Sequence, residues 1–162
     1  MNNNLKKIIS WSLVIIWLIV IFLFSNMDSD KSNQKSEQVI NTVVETTINK
    51  TNDLGIIKEP NDVKRNEIVV KLNKPLRKCM HAFVYFVLSL LLLNALTISG
   101  VKNLKLYLIC LIICFIYSII DEYHQTFVIG RTGQFIDSII DTFGSIIGLI
   151  SYYFKRKIIN KI

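Results

Sequence analysis

Long, largely apolar runs constrain this chain more than any other feature. They lie at Ile8–Phe24, Met80–Ile98, Leu106–Ile120 and Phe135–Phe154. A helix needs roughly 20 apolar residues to cross a hydrocarbon core about 30 Å thick, with 17 near the lower limit. The first, second and fourth runs satisfy that length. The third is too short by itself and must extend into its polar neighbours. The expected fold is all-α: a polytopic membrane protein, a bundle of four transmembrane helices with a small helical extracytoplasmic segment between the first and second.

Charge sets the direction of threading. Lys6 and Lys7 precede the first run, Lys102 and Lys105 separate the second from the third, and Lys155, Arg156, Lys157 and Lys161 follow the fourth. None of these segments carries an acidic residue. The positive-inside rule therefore puts all three, and both termini, in the cytoplasm. The expected order is a cytoplasmic N-terminus (1–7), a first span (8–25), an extracytoplasmic segment (26–76), and a second span (77–99). A cytoplasmic loop (100–105), a third span (106–125), an extracytoplasmic turn (126–134), a fourth span (135–154) and a cytoplasmic tail (155–162) follow. The first run lacks a small-x-small cleavage pattern after Phe22-Leu23-Phe24-Ser25, so it reads as a retained anchor.

The net charge of +7 does not point to nucleic acid, because the basic residues flank the apolar runs and match topology signals and lipid headgroup contacts. The partners expected are membrane lipids. Cys79, Cys110 and Cys114 include no CxxC pair and read as apolar fillers. The first outer segment carries equal acidic and basic charge. Val39, Ile40, Val43, Val44, Thr47 and Ile48 recur there at helical period, and Gly55 and Pro60 punctuate the end. A second helix is predicted from about Asn61 through Lys71, its apolar side formed by Val63, Ile68, Val69 and Leu72.

Ionisable residues gather at the outer ends of the last three spans. Arg77, His81 and Tyr85 are four apart and share one helix face. Interface anchoring explains Arg77 and Tyr85 as readily as ligand binding does, but His81 lies deeper. The third helix should continue through Asp121, Glu122, His124 and Gln125, leaving two carboxylates at a helix C-terminus, where the dipole disfavours anions. Tyr117, Asp121 and His124 align on one face, with Gln125 beside them. In the fourth run Asp137 occupies the first turn, Asp141 lies one turn deeper, and Gly144 and Gly148 fit close helix packing. Charged side chains inside spans face the bundle interior and mark functional sites. A salt-bridge network that only locks the helices is the plainer alternative, but it requires neither histidine.

These residues resemble the VanZ-like family, whose founding member is an accessory protein of bacterial teicoplanin resistance. The resemblance rests on Arg77-x3-His81-x3-Tyr85, Asp121-Glu122-x-His124-Gln125, Gly130-Arg131 and Asp137-x3-Asp141-Thr142-x-Gly144-x3-Gly148. It covers Arg77–Gly148 well and Ser10–Leu23 loosely. The family often has Phe-Ser-Ser-Gln where this chain has Phe24-Ser25-Asn26-Met27, and asparagine is common at the position of Asp141. The resemblance implies a multi-pass protein of the bacterial cytoplasmic membrane that influences glycopeptide susceptibility.

Three functions fit. One is recognition of a phosphate- or glycan-bearing lipid or cell-wall precursor at the outer leaflet. Arg77 and Arg131 would hold its headgroup, Gly130 and Gly133 would admit it, and Tyr85, Gln125, Asp137 and Asp141 would complete the binding surface. His124, His81, Asp121 and Glu122 are the candidate acid–base groups. The second is a metal- or His/Asp-dependent hydrolase or transferase on a lipid-linked substrate. His81, His124 and one or two carboxylates suit Zn²⁺, but no HExxH spacing is present. The expectation is no metal and no cofactor. The third is a non-enzymatic protein that alters access of a glycopeptide antibiotic to its target.

Overall fold

Among the described residues, the apolar runs and their flanks fold as five helices. The computed structural model describes residues 2–27, 29–53, 62–131 and 133–159. In chain order they are α1 (Asn3–Ser25), α2 (Ser29–Asp53), α3 (Asp62–Ile98), α4 (Asn103–Gln125) and α5 (Phe135–Ile159). The described residues contain no strand. Among the described residues, four helices, Asn3–Ser25, Val69–Ile98, Asn103–Gln125 and Phe135–Ile158, are long and apolar enough to cross a membrane. They turn large hydrophobic residues outward along their length: Ile8 is 63% exposed, Leu23 61% and Phe143 62%. In water that surface would drive aggregation; in a bilayer it faces acyl chains.

The spans alternate in direction. Trp11 Nε1 donates to Ser99 Oγ (3.0 Å), joining the start of α1 to the end of α3. Further along, Trp17 Nε1 donates to the Val84 carbonyl (3.0 Å), and Arg131 Nη2 donates to the Phe24 carbonyl (3.3 Å). One end of the bundle thus carries Lys6, Lys7, Lys102, Lys105 and Lys155, and the opposite end carries the polar clusters. α3 ends in a left-handed glycine, Gly100 (φ 95°), with the Val101 amide bonded back to the Leu96 carbonyl (3.0 Å).

α3 and α5 form the tightest pair, because both expected glycines lie at their contact. A Cβ at Gly144 would collide with the Ala82 carbonyl, and one at Gly148 with Ser89 Oγ. Tyr85, Leu88, Leu92 and Leu93 of α3 are buried in one core cluster with Cys110 and Cys114 of α4. The two cysteines therefore fill the core, and Cys79 is exposed.

The region between the first two spans is helical, as expected, but α3 runs on through Pro75 where two separate helices were predicted. Pro75 cannot serve the carbonyl of residue Lys71. Lys71 and Leu72 are exposed on the turn before Pro75. At 37 residues α3 is about 55 Å long, so its first turns project beyond a bilayer core. α2 packs there by burying Ile40 and joins α3 through Asn73 Nδ2 to Glu37 Oε1 (3.4 Å). Val39 and Val43 stay 53% and 59% exposed, so the predicted apolar stripe is only partly covered. Gly55, Pro60 and Asn61, and the side chains of Ile48, Val63 and Ile68, lie outside the described residues.

Candidate functional site

The third span, α4, extends through Gln125, as its short apolar run required. That extension brings Asp121 and Glu122 to the polar end of the bundle, roughly 100° apart around α4. Consecutive residues on a helix cannot face the same neighbour, and here they divide the site.

Asp121 faces a cavity of about 280 Å³ between α1, α2, α3 and α4. Its wall is mostly apolar, including Ile21, Phe24, Val39, Met80 and Val84. Three cationic residues, Lys35, Arg77 and Arg131, line it together with His81, Tyr85 and Asp121. Arg77, His81 and Tyr85, one turn apart on α3, descend one wall. Arg131 is only 8% exposed, and its bond to Phe24 holds the turn after α4 against α1. Gln125 Nε2 donates to Asp121 Oδ2 (3.3 Å), so Gln125 supports the carboxylate and does not line the cavity.

Glu122 faces α5. Its Oε2 accepts the Gln134 backbone N–H (2.9 Å) just before that helix begins. Asp141, fully buried on α5, accepts from Ser118 Oγ at Oδ2 (2.9 Å). His81 Nδ1 stands 3.8 Å from Asp141 Oδ1. His81, Asp121, Glu122 and Asp141 each present one donor atom, all within 4.8 Å of one another. Residues from three helices, spread over 60 positions of sequence from His81 to Asp141, therefore converge at one point.

Three expected site residues lie elsewhere. His124 packs its ring on Phe22 of α1 (centroids 4.8 Å apart) and is outside both the cavity lining and the four-residue cluster. Its face of α4 meets α1, where Tyr117 OH also donates to the Leu18 carbonyl (2.8 Å). Asp137, in the first turn of α5, pairs with Lys78 Nζ at 3.0 Å, complementing the helix dipole. Gly133 does not open space for a ligand: a Cβ there would strike the Glu122 carbonyl, so the glycine lets the turn close on α4. Gly130 supplies the turn itself, with φ 75°. Thr132 lies outside the described residues.

Sequence reasoning missed Lys35, Lys78 and Ser118. Lys78 was findable, since it precedes an apolar run whose partner helix opens with an aspartate. Lys35 and Ser118 carry no comparable signal, because one sits in a charge-balanced segment and the other in an apolar run.

The family described as VanZ/LLP1 matches residues 10–156, nearly the whole chain. No curated protein and no solved structure matches it.

Proposed function

The chain belongs to the VanZ/LLP1 family, and from that premise we propose that it is a bacterial cell-envelope protein that recognises a phosphate-bearing lipid at the outer leaflet. The observation that carries the reading is the cavity whose apolar wall is met by Lys35, Arg77 and Arg131. Such a lining suits an amphiphile: hydrocarbon against Ile21, Phe24 and Val84, and an anionic headgroup against the cations. Guanidinium groups bind phosphate oxygens in pairs, and their hydrogen bonds strengthen in a low-dielectric setting. The outer-leaflet position follows from the lysines at the opposite end of the bundle. A lipid-linked cell-wall precursor has this chemistry, and holding one would alter how a glycopeptide antibiotic of the teicoplanin type reaches its target. Both termini are then cytoplasmic.

Native mass spectrometry of the purified chain tests the proposal. A phosphate-bearing lipid should remain bound to the unaltered protein and be lost on Arg77→Ala. Each lost charge-assisted contact costs about 1.5–3 kcal/mol, roughly ten- to a hundred-fold in affinity. His124→Gln should keep the lipid, since that ring packs on Phe22. Equal lipid on all three proteins would refute the reading.

A hydrolase or transferase is the second reading, favoured by His81 standing at the cavity among three carboxylates. Phosphate released from a polyprenyl diphosphate, and abolished in His81→Gln, would support it.

A further inference from the structure

Besides the cavity, the molecule offers a groove near the lysine-rich end, an exposed cysteine at Cys79, the partly covered stripe on α2, and the four-residue cluster. The cluster goes furthest, because two independent observations there point to the same ligand.

The first observation is convergence. Three carboxylates and one imidazole offer donor atoms within 4.8 Å of one another, and three of the four residues are buried. Donors held about 2.1 Å from a metal ion lie between roughly 3 and 4.2 Å from one another, in tetrahedral or octahedral arrangement. Small side-chain adjustments would close the set. Like charges gathered this closely inside an apolar bundle repel one another, and a bound cation relieves that repulsion.

The second observation is orientation. Asp141 is fully buried, and its Oδ2 is fixed by Ser118, but its Oδ1 has no hydrogen-bond partner. Glu122 repeats the arrangement. It is 5% exposed, its Oε2 is fixed by the Gln134 amide, and its Oε1 has no hydrogen-bond partner. A buried acceptor left unsatisfied costs about 1–3 kcal/mol. Two such oxygens, each on a carboxylate held by one bond to its other oxygen, match the way second-shell donors aim metal ligands.

We propose that His81, Asp121, Glu122 and Asp141 form a binding site for one divalent cation of the Zn²⁺ or Mn²⁺ type. The imidazole nitrogen favours these ions over Mg²⁺ or Ca²⁺, which take oxygen ligands. Sequence alone assigned no metal, and it grouped His124 with His81; in the structure His124 is not in the set. His81 and Asp121 also line the cavity, so the ion sits at its edge, within reach of a headgroup phosphate. The metal site stands without the lipid reading.

The test uses the purified full-length protein in detergent, stripped with a chelator and then titrated with Zn²⁺ or Mn²⁺. Elemental analysis after buffer exchange should find about one equivalent of either ion. Pulsed electron paramagnetic resonance of the Mn²⁺ form should show coupling to one imidazole nitrogen. His81→Gln should abolish that coupling and weaken binding at least about tenfold, whereas His124→Gln should leave both unchanged. Asp141→Asn should also weaken binding; if it fails to fold, the nitrogen signal of His81→Gln decides. No retained metal in the unaltered protein overturns the proposal, and so does a nitrogen coupling that survives His81→Gln. Bound lipid without metal ends this inference alone, and bound metal without lipid ends the lipid reading alone.

Discussion

Replacing Gly144 with alanine tests the helix contact that brings Asp141 to His81. A Cβ at that position would lie 2.7 Å from the Ala82 carbonyl carbon and 2.8 Å from its Cα. Carbon atoms in ordinary contact stand about 3.5–4.0 Å apart, so α3 and α5 must separate by roughly 1 Å. Backbone atoms cannot rotate aside, and overpacking of this kind costs about 1–3 kcal/mol. Gly148→Ala is the informative comparison. Its nearest obstacle is the Ser89 hydroxyl, which can rotate at the expense of its bond to the Phe86 carbonyl (2.8 Å), and its one close backbone contact is the Phe86 carbonyl oxygen at 2.9 Å. Unfolding by sodium dodecyl sulfate, followed by circular dichroism in mixed micelles, should rank Gly144→Ala as the more destabilising change. Ile150→Ala, on an exposed position of the same helix, should cost below about 0.5 kcal/mol. A Gly144→Ala protein as stable as the parent would mean that α3 and α5 do not pack through this glycine, and the convergence of His81 with Asp141 would fall with it.

Other outcomes follow from particular contacts. In a background with Cys79, Cys110 and Cys114 replaced, a cysteine at Gln38 should react with an impermeant maleimide on intact cells and one at Lys155 should not; the reverse would invert the orientation. Ser118→Ala should destabilise by about 1–3 kcal/mol, because it strips the buried Asp141 carboxylate of its donor; a neutral result would show that Asp141 does not depend on Ser118. Arg131→Ala and Asp121→Asn should be non-additive by roughly 0.5–3 kcal/mol in a double-mutant cycle of stability, since both line one cavity; additive losses would place them in separate networks.

Much of this architecture is legible in the sequence because a bilayer leaves the backbone few options. An apolar run too short to span had to recruit Asp121 through Gln125, and α4 does so. Periodicity also put Arg77, His81 and Tyr85 on one face. What periodicity cannot reveal is which neighbour each face meets. Tyr117, Asp121 and His124 share a stripe, yet His124 ends against Phe22, and the carboxylate beside Asp121 turns to α5. Pro75 misled for a different reason: proline removes one hydrogen bond and crowds the preceding turn, which disfavours a helix interior without forbidding it, and α3 continues through it. Ser118 is invisible in sequence because a lone hydroxyl in an apolar run is ordinary until a buried carboxylate is seen to lean on it.

The proposed phosphate-bearing lipid occupies the cavity and not merely the apolar perimeter. The most direct measurement is photo-crosslinking with a diazirine-bearing anionic phospholipid in nanodiscs, read out by peptide mass spectrometry. Occupancy of the cavity predicts adducts concentrated at Phe24, Val39, Met80 and Val84, and their loss in Arg77→Ala. Adducts spread over the outward faces at Ile112, Ile116, Phe143 and Ile150, unchanged by that substitution, would contradict it.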